Sequence, residues 1–395
     1  ARFACALEVL MKVVVLGCGR VGRAMVMDLA SESGWEITAV DALDTAFAGL
    51  EGFANVATRS ADLGDPEVVA EVIAGHDLAV GAVPGPMGAA TLEAVIESGI
   101  DVVDISFFEE DPFHLHEFAV DKGVTAVMDC GVAPGFSNLA LGHSQTVFDE
   151  LSSFICYVGG LPEVRRWPYE YAAVFSPIDV LAEYTRPARI VENSVEVVRD
   201  ALSEIELLDF PGVGTLEAFN SDGLRTLLKV EGIPDMKEKT MRYPGHAERM
   251  RMLRETGFFG EDAVRIGDVE IRPIDLTAKL LFPTWQLPEG EGDQTVMRIS
   301  VEGVLGGRRI RRTWDMLDRF DHESGVTSMA RTTGYTCTAA VRALAAGLYK
   351  DPGLVPPEVL GRTPGVYDFI KDRLAERGVE FTVTDEELSA RSAHE

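Results

Sequence analysis

The feature of this sequence that most constrains its fold is a glycine-rich turn between a short apolar run and a helical pattern. The run Met11–Leu16, rich in β-branched residues, predicts a buried strand. Gly17-Cys-Gly19-Arg-Val-Gly22 follows it directly, and an apolar helical pattern continues to Ala30. The first glycine permits a tight turn, the second lets the backbone approach a pyrophosphate, and the third lets helix and strand pack closely. In this context the spacing predicts a dinucleotide site at the helix N-terminus.

Short apolar runs continue to alternate with helical segments through the first half of the chain. This alternation predicts β-α-β units and a parallel sheet. The further predicted strands are residues 36–41, 55–58, 77–83, 101–106 and 124–128. The first half therefore predicts a Rossmann-type, doubly wound sheet.

The chain has 395 residues, which is too long for one ordinary domain. After residue 135 the pattern is mixed: the predicted strands are 151–158, 206–210, 277–281, 295–302, 309–316 and 379–383, and the predicted helices are 136–143, 178–184, 223–230, 247–256, 337–348 and 365–377. We expect an α/β protein with a second α+β substrate domain built on a mixed sheet. The expected divisions are an extension (1–10, with Met11 the natural start), a Rossmann domain (11–138), a substrate and dimerisation domain (139–328) and C-terminal helices returning to the Rossmann domain (329–395). The acidic tail after Thr384 is expected to be mobile.

Composition excludes several classes of function. Asp and Glu number 64 against 36 Lys and Arg, a net charge of −28 that would repel nucleic acid and anionic membranes. No run of eighteen apolar residues predicts a membrane span. The five cysteines form no C-x-x-C, so we expect neither disulfides nor zinc, and a reducing cytoplasm as the location. His114 and His116, two apart on a predicted helix, point away from each other, so no metal site is expected there.

Asp41 ends the second predicted strand, 24 residues after Gly17. A carboxylate there accepts hydrogen bonds from the ribose hydroxyls and repels a 2′-phosphate, so the sequence favours NAD over NADP. Asp62 and Leu63 are expected near the adenine, although Asp62 could instead cap the helix after Pro66. The predicted cofactor contacts are Gly17, Gly19, Arg20, Val21, Gly22, Asp41, Ala42, Asp62, Leu63, Ala82, Val83, Pro84 and Ser106.

Several strings in register resemble the saccharopine dehydrogenase-like family, most closely its NAD-dependent L-lysine 6-dehydrogenase branch. They are VVVLGCGRVG (13–22), MDCGVAPGFSN (128–138), YVGGLPEVRRWPYEYAAVFSP (157–177), FNSDGLRTL (219–227), MRYPGHAERM (241–250) and MARTTGYT (329–336). The resemblance implies a Rossmann domain completed by C-terminal helices and a mixed-sheet domain that carries the substrate. It also implies oxidation at a carbon bearing nitrogen, and a homodimer or higher homo-oligomer.

Three positions depart from the saccharopine-forming branch of that family. The matching strings of that branch carry Asp where this chain has Ala133, Cys where it has Val158, and Arg where it has Ser221. The Asp and Cys are the acid–base candidates of that branch, and the Arg suits a second substrate carboxylate. Since a carboxylate buried without a partner is costly, the resemblance implies lysine rather than saccharopine.

The sequence interpretation is oxidative deamination of the L-lysine side-chain amine with NAD. The products would be NADH, ammonia and 2-aminoadipate 6-semialdehyde, which cyclises to piperideine-6-carboxylate. One alternative is a saccharopine dehydrogenase on the same scaffold. Another is a non-catalytic NAD-sensing protein.

Candidate residues for the chemistry follow from the family resemblance, which implies Arg242 and Phe175, and from position and residue type. Arg242 is predicted to bind the substrate carboxylate, with Arg225 as a competitor, because guanidinium matches carboxylate bidentately. Asp104, at the carboxyl end of a strand, and His143 are the candidate bases, with His246 as a further candidate. Asp104 could instead cap the following segment, and each histidine could be structural. The predicted substrate contacts are Ser106, Phe107, Phe175, Asp222, Arg225, Arg242 and Thr333.

Overall fold

The computed structural model describes residues 11–108, 110–174, 177–288 and 290–389, without the side chains of residues 177–179. The chain divides into two compact units. Unit 1 comprises the residues up to Leu139 together with Ala330–Arg377, and unit 2 comprises Ala140–Met329 together with the residues from Gly378 onward. The predicted boundaries at 138 and 328 lie beside these divisions, whereas the segment after Arg377 belongs to unit 2.

The helices and strands run along the chain as follows. The first part contains β1 (Met11–Leu16), α1 (Arg20–Leu29), β2 (Trp35–Asp41), β3 (Val56–Ser60), α2 (Pro66–Ile73), β4 (Leu78–Gly81), α3 (Gly85–Glu97), β5 (Asp101–Asp104), α4 (His116–Lys122), β6 (Thr125–Val127) and α5 (Phe136–Val147). The middle contains β7 (Glu150–Pro162), α6 (Pro177–Thr185), β8 (Ala188–Glu192), β9 (Val195–Arg199), β10 (Glu206–Phe210), β11 (Gly214–Asn220), β12 (Asp235–Arg242), α7 (His246–Glu255), β13 (Val264–Ile266), β14 (Val269–Ile271), α8 (Pro273–Thr284), β15 (Asp293–Leu305) and β16 (Arg308–Arg319). The last part contains α9 (Ser328–Ala345), β17 (Gly353–Val355), α10 (Pro357–Arg362), α11 (Val366–Ala375) and β18 (Thr382–Glu387).

Unit 1 is built on a parallel sheet of seven strands. Their order is β3-β2-β1-β4-β5-β6-β17, so the chain leaves β1 first toward one side and then toward the other. Such a reversal opens a crevice at the carboxyl ends of β1 and β4, where doubly wound sheets bind ligands. Residues 13–16 of β1 are fully buried, as an apolar run between two helical layers requires. The six strands predicted for this half are confirmed to within two residues at each end.

Unit 2 is built on a mixed sheet of nine strands. The order along its main path is β10-β11-β12-β7-β15-β16-β18, with β8 paired to β12 and β9 paired to β8. The β12–β7 pair is parallel, whereas β7, β15 and β16 pair antiparallel. An apolar cluster that includes Tyr184, Phe219 and Trp285 packs among the elements of this unit. The predicted fold class, a Rossmann-type sheet plus an α+β domain with a mixed sheet, is confirmed.

Three local predictions were wrong. Residues 277–281, predicted as a strand, lie in α8, where Pro273 occupies the first turn and Thr277 and Leu281, one helical turn apart, are buried together. Residues 223–230 form only a short 3-10 helix, Arg225–Lys229. The first part of the tail lies in β18, which pairs with β16 and carries Asp385 opposite Arg312, and residues 390–395 lie outside the described residues.

A buried group of charges ties α9 and α11 to α1 within unit 1. The Asp28 carboxylate accepts from Arg342 Nη1 at 2.7 Å, from Arg377 Nε and from the Thr338 hydroxyl. Glu32 accepts from Arg342 Nε and so shares the same cations. The Asp28 and Arg342 side chains are only 7% and 5% exposed. Because one carboxylate serves both α9 and Arg377, two residues after α11, and both lie more than 300 residues away in sequence, this group holds the C-terminal helices onto α1.

Asp28→Asn tests this connection. The substitution leaves two buried guanidinium groups without their shared carboxylate, so we expect a loss of about 3 kcal/mol in the free energy of unfolding. Urea unfolding followed by circular dichroism measures the change. Glu71→Gln, which removes an exposed ion pair with Arg59, is the matched control and should change stability little. A stable Asp28→Asn protein would show that the apolar packing of α9 suffices.

Candidate functional site

The glycine turn after β1 is shaped by two close backbone contacts and one open face. A Cβ on Gly17, whose φ is +95°, would lie 2.5 Å from the Ala82 carbonyl oxygen, and one on Gly22 would lie 1.9 Å from the Gly17 oxygen. A Cβ on Gly19, the N-cap of α1, would meet nothing within 4 Å among the described residues. Two glycines are therefore required for packing, and the third leaves space beside the first helical N–H groups. This space fits a pyrophosphate.

Asp41 is held at the edge of that turn. Its Oδ2 accepts from the Cys18 backbone N–H at 2.8 Å, and its Oδ1 accepts from the Leu43 N–H at 3.0 Å. Burial, together with the Asp41 charge, raises the pKa of the Cys18 thiol to about 12, so this thiol stays protonated. Each carboxylate oxygen can accept a second hydrogen bond. The geometry thus fits a carboxylate that receives ribose hydroxyls.

The other predicted cofactor residues follow the carboxyl ends of neighbouring strands. Asp62 and Leu63 follow β3, and Ala82, Val83 and Pro84 follow β4. The Asp62 carboxylate accepts from Gly64 N at 3.0 Å and closes the turn, whereas Asp65 caps α2 by accepting from Glu67 N. Arg20, Val21 and Ala42 belong to the segments that follow β1 and β2. The fold therefore brings the predicted cofactor residues to one edge of the sheet.

Asp104 and Ser106 form a closed pair at the end of β5. The Asp104 carboxylate accepts from the Ser106 N–H at 2.7 Å and from its hydroxyl at 3.1 Å. Asp104 is 1% exposed and lies against Gly81, where a Cβ would be 1.8 Å from its Oδ2. The Asp104 side chain thus closes a turn with the backbone and hydroxyl of Ser106, as the capping alternative predicts. Asp104 therefore orients Ser106, and both side chains are buried, at 1% and 2% exposed.

The loop that follows β6 packs tightly on α9. The Gly131 N–H donates to the Pro134 carbonyl at 3.1 Å, and a Cβ on Gly135 would lie 1.8 Å from the Gly131 oxygen. Thr333 Cγ2 lies 3.2 Å from the position of a Cβ on Gly131. Thr333, a predicted substrate residue, is therefore placed beside this loop in unit 1.

Arg242 is the last residue of β12 and is buried, with 2% of its surface exposed. Its Nη2 donates to Glu183 Oε2 at 2.6 Å, its Nη1 donates to the Met241 carbonyl at 2.9 Å, and its guanidinium lies over the Tyr171 ring. Burial opposes the charge, but the Glu183 carboxylate holds the guanidinium pKa above its ordinary value. The Nε finds no acceptor in the described part of the chain. The predicted carboxylate ligand thus already has a carboxylate partner, and its Nε–H is left without an acceptor among the described residues.

His246, a candidate base, is enclosed in the same region. Its Nδ1 donates to the Tyr169 carbonyl and its Nε2 accepts from the Tyr184 hydroxyl, both at 2.9 Å. Complete burial, assisted by the Arg242 charge, lowers the pKa of His246 to about 3. The ring is therefore neutral at physiological pH and both nitrogens are engaged. The structural alternative accounts for this histidine.

The remaining predicted residues are placed separately. Asp222 is paired bidentately with Arg189 at 2.9 Å, which satisfies its carboxylate within unit 2. Arg225 begins the 3-10 helix and is 9% exposed. His143 and Phe107 are half-buried, on α5 and after β5 respectively. Phe175 lies outside the described residues.

Within the described ranges, no three or more His, Cys, Asp or Glu side chains are grouped to hold a metal ion. No helix in the same ranges is long and apolar enough to cross a membrane.

The parallel sheet, its strand order and the glycine turn define a dinucleotide-binding protein with a second, mixed-sheet domain. Two family profiles match: "Saccharopine dehydrogenase NADP binding domain" over residues 13–127 and "Saccharopine dehydrogenase C-terminal domain" over residues 131–379. The chain belongs to the saccharopine dehydrogenase family, which places it among the oxidoreductases that use a pyridine nucleotide. The family recognised from the sequence motifs is confirmed.

Curated relatives carry names from lysine metabolism. Saccharopine dehydrogenase [NADP(+), L-glutamate-forming] of Schizosaccharomyces pombe is 23% identical over 87% of this chain and 93% of its own length. Mitochondrial alpha-aminoadipic semialdehyde synthase of Bos taurus is 25% identical over 64% of this chain, which spans only 29% of that longer protein. These names do not include the lysine 6-dehydrogenase branch that the motifs favoured.

Solved structures agree on the fold. Saccharopine dehydrogenase (L-Glu forming) from Saccharomyces cerevisiae has a TM-score of 0.79 at 19% identity, covering 95% of this chain and 100% of that one. Homospermidine synthase from Legionella pneumophila, in complex with NAD, has a TM-score of 0.66 at 11% identity, covering 96% and 91%. At these identities the likeness concerns the fold alone.

Sequence reasoning missed the partners of the buried charges. Glu183 pairs with Arg242, Arg189 pairs with Asp222, and Glu217 accepts from the Gly245 and Ala247 N–H groups at the start of α7. No spacing in the sequence relates these positions. The sequence offers only a general indication: a charged residue that is buried requires an opposite charge or N–H groups as partners, but its position along the chain does not identify them.

Gly19→Ala tests the open face of the glycine turn. The φ of −67° suits alanine and no atom is displaced, so we expect the melting temperature to stay near that of the wild type. The added methyl enters the space where the pyrophosphate would lie, so NAD affinity should fall by roughly tenfold or more by calorimetry. Gly17→Ala, which collides with Ala82, should instead lose stability. Unchanged NAD affinity in Gly19→Ala would contradict the assignment.

His246→Gln tests the neutral buried ring through the pH dependence of stability. The unfolded chain binds a proton near pH 6.5 that the folded chain does not bind above about pH 3, so stability is lost as pH falls through this window. From pH 6.5 to 5 the loss attributable to His246 is about 2 kcal/mol. In urea titrations, the free energy of unfolding of His246→Gln should fall less between pH 6.5 and 5 than that of the wild type. The control His114→Gln, at an exposed position, should lose as much as the wild type. Equal slopes in all three proteins would exclude a buried neutral His246.

Proposed function

We propose that this protein is a pyridine-nucleotide-dependent oxidoreductase that acts on the carbon–nitrogen bond of an amino acid in lysine metabolism. The observation that carries the proposal is the likeness to the S. pombe saccharopine dehydrogenase, which extends over 87% of this chain and 93% of that enzyme. The glycine turn, with its open face at Gly19, supports the cofactor half. When bound, the nicotinamide cofactor supplies the acceptor for the hydride.

Oxidation of saccharopine is the first candidate reaction. Both curated relatives described above bear names from this part of lysine metabolism, and one is named L-glutamate-forming. Release of L-glutamate requires cleavage at a secondary amine after its oxidation. The chain's own task would be to hold the substrate carboxylates and exclude water until oxidation is complete.

Oxidation of the L-lysine side-chain amine with NAD is the second candidate, and the residue at position 221 favours it. Ser221 is 4% exposed and its oxygen accepts from the Thr240 hydroxyl at 2.9 Å. A hydroxyl pair thus occupies the position where the saccharopine-forming branch is expected to carry a guanidinium. Likewise, Ala133 and Val158 stand at the positions where that branch is expected to carry Asp and Cys. Lysine has a single carboxylate and does not need the extra cation.

The residues of unit 2 offer one anchor for a carboxylate under either candidate. The Arg242 Nε–H has no acceptor among the described residues, while Glu183 accepts from the neighbouring Nη2. A substrate carboxylate at Nε would share the charge with Glu183, as buried arginines can serve two acceptors. Arg225 remains the competing anchor.

We propose that the group that transfers the proton belongs to unit 1. Ser106 is held by Asp104, so its hydroxyl is oriented and polarised at the carboxyl edge of the sheet. We propose Ser106 as the residue that contacts the substrate amine, with Asp104 as its positioning residue. His143 on α5 stays the alternative base.

NAD is the dinucleotide we propose, and Asp41 supports it. A fixed carboxylate at the end of β2 accepts ribose hydroxyls and repels a 2′-phosphate. The family description and the S. pombe name point to NADP instead. Arg23, whose Nη1 donates to the Ala48 carbonyl at 3.3 Å, is a cation on α1 that could serve NADP by moving.

The proposed partners are a small amino-acid substrate and further copies of this chain. The net charge of −28 disfavours nucleic acid and anionic membranes. Exposed Val264, Ile266 and Val269 on the β13–β14 hairpin provide apolar surface that an oligomer would cover.

The test is reduction of NAD and of NADP, followed separately at 340 nm, with saccharopine, L-lysine and L-ornithine. Turnover of saccharopine supports the first candidate, and turnover of L-lysine with NAD alone supports the second. With NAD as the cofactor, Asp41→Ala should lower the apparent affinity for NAD more than that for NADP, because it removes the ribose acceptor. NAD binding without oxidation of any amine would contradict the proposal and favour an NAD-sensing protein.

A further inference from the structure

A short hairpin in unit 2, formed by β13 and β14, is a two-stranded sheet separate from the two large sheets. Gly267 and Asp268 make its two-residue turn, and the φ of +62° at Gly267 suits the turns that such hairpins prefer. All ten residues from 261 to 270 are exposed. Because an isolated two-stranded hairpin is marginally stable in water, a further contact is needed to hold this one in place.

The pairing of the two strands puts four aliphatic side chains on one face of the hairpin. Val264 lies opposite Ile271 and Ile266 lies opposite Val269, and residues two apart on a strand share a face. Val264, Ile266 and Val269 are 46%, 60% and 57% exposed. The charged pair between them occupies the other face. The hairpin therefore presents an apolar face to solvent.

The helix that follows the hairpin presents a second apolar row. In α8, Leu276 and Leu280 are one helical turn apart and are 44% and 63% exposed, whereas Thr277 and Leu281 form the row that is buried. Seven of the seventeen large apolar side chains exposed in the described chain lie between residues 252 and 280. Single exposed apolar residues are ordinary, but such a concentration indicates an interaction surface.

This hairpin–helix surface, defined as residues 251–280, is nearly neutral in an otherwise acidic chain. It contains six acidic and five basic residues, whereas the whole chain has a net charge of −28. Two copies of the chain therefore repel each other over most of their surfaces, but not here. An anionic membrane or a nucleic acid would find no attracting charge on it. The charge distribution thus favours a second copy as the occupant.

The extent of the hairpin–helix surface suits an interface between two copies. Twenty-one of its thirty residues are exposed. Stable interfaces take about 20 to 30 residues from each partner, so the surface is large enough to form most of one. In a symmetric dimer the same patch is used by both copies, so each would cover the apolar face of the other.

We propose that the hairpin–helix surface binds the same surface of a second copy of this chain in a symmetric dimer. The inference rests on the proposed association with further copies and deepens it by naming the surface; it is independent of the proposed reaction. In the dimer the aliphatic face of the hairpin leaves water, and the hairpin gains the contact that it lacks in a single chain.

Ile266→Asp in the full chain is the test. Ile266 is 60% exposed, so the substitution opens no cavity but places a charge on the apolar face of both copies. By sedimentation velocity, the wild type should have at least twice the mass of one chain, 42.9 kDa. In the variant, the dissociation constant of the dimer should rise at least about 30-fold.

The matched control is Val198→Asp, on β9 of the same unit and 61% exposed. It adds the same charge outside the hairpin–helix surface, so it should sediment as the wild type does. Circular dichroism and the melting temperature establish that both variants are folded, because neither substitution removes a buried side chain.

Hydrogen exchange and salt give two readouts of the surface itself. In the wild type, the amides of β13 and β14 should exchange more slowly at concentrations where the dimer forms than after dilution, and Ile266→Asp should remove this difference. Raising the NaCl concentration should tighten the dimer severalfold, because salt screens the repulsion between two acidic copies and leaves the apolar contact in place.

Three outcomes would overturn the inference. A wild type with the mass of one chain at every concentration would remove the second copy, and with it the proposed association. A dimer of Ile266→Asp as tight as that of the wild type would place the interface elsewhere and leave the association standing. A dimer that weakens as salt rises would indicate an interface made by ion pairs. Failure of the amine assay with the dimer intact affects only the proposed reaction.

Discussion

A close approach between the backbone at Gly17 and the backbone after β4 is the constraint on which the carboxyl edge of the parallel sheet depends. A Cβ at Gly17 would lie 2.5 Å from the Ala82 oxygen, and a Cβ at Gly22 would lie 1.9 Å from the Gly17 oxygen. Because neither position has room for a side chain, glycine there lets β1 and β4 lie side by side and α1 begin at Arg20, directly after the turn. Asp41 then reaches the turn by accepting from the Cys18 N–H. One steric requirement therefore positions the phosphate face and the ribose carboxylate together.

Unit 2 follows a different principle, in which buried charges are compensated within the chain. Strand β12 contains few apolar residues, yet its final residue, Arg242, is fully enclosed with Glu183 as its partner. His246 remains neutral beside them because protonation would place a second buried positive charge there. Such a region is polar without being solvated, so a charge that enters it without a partner would be costly.

The assignment of the family rests on many more positions of the chain than the proposal for the reaction does. Profiles that cover both domains, together with the fold, assign the family, because they depend on many positions across the chain. The reaction depends on a few side chains in the site. Ser221, with its hydroxyl neighbour Thr240, differs there from what the saccharopine-forming branch leads one to expect. The chain can therefore share the fold of relatives named for saccharopine while differing from them at Ser221.

The sequence by itself determined the parallel sheet, because the apolar strands and the glycine turn are local patterns that are compatible with few folds. It also determined the family and placed Asp41 at the turn. The tertiary structure alone decided that residues 277–281 are helical, since a leucine-rich run fits either period until its buried face is known. It alone paired Arg242 with Glu183 and Asp222 with Arg189. Partnership between distant side chains depends on packing, which no local pattern encodes.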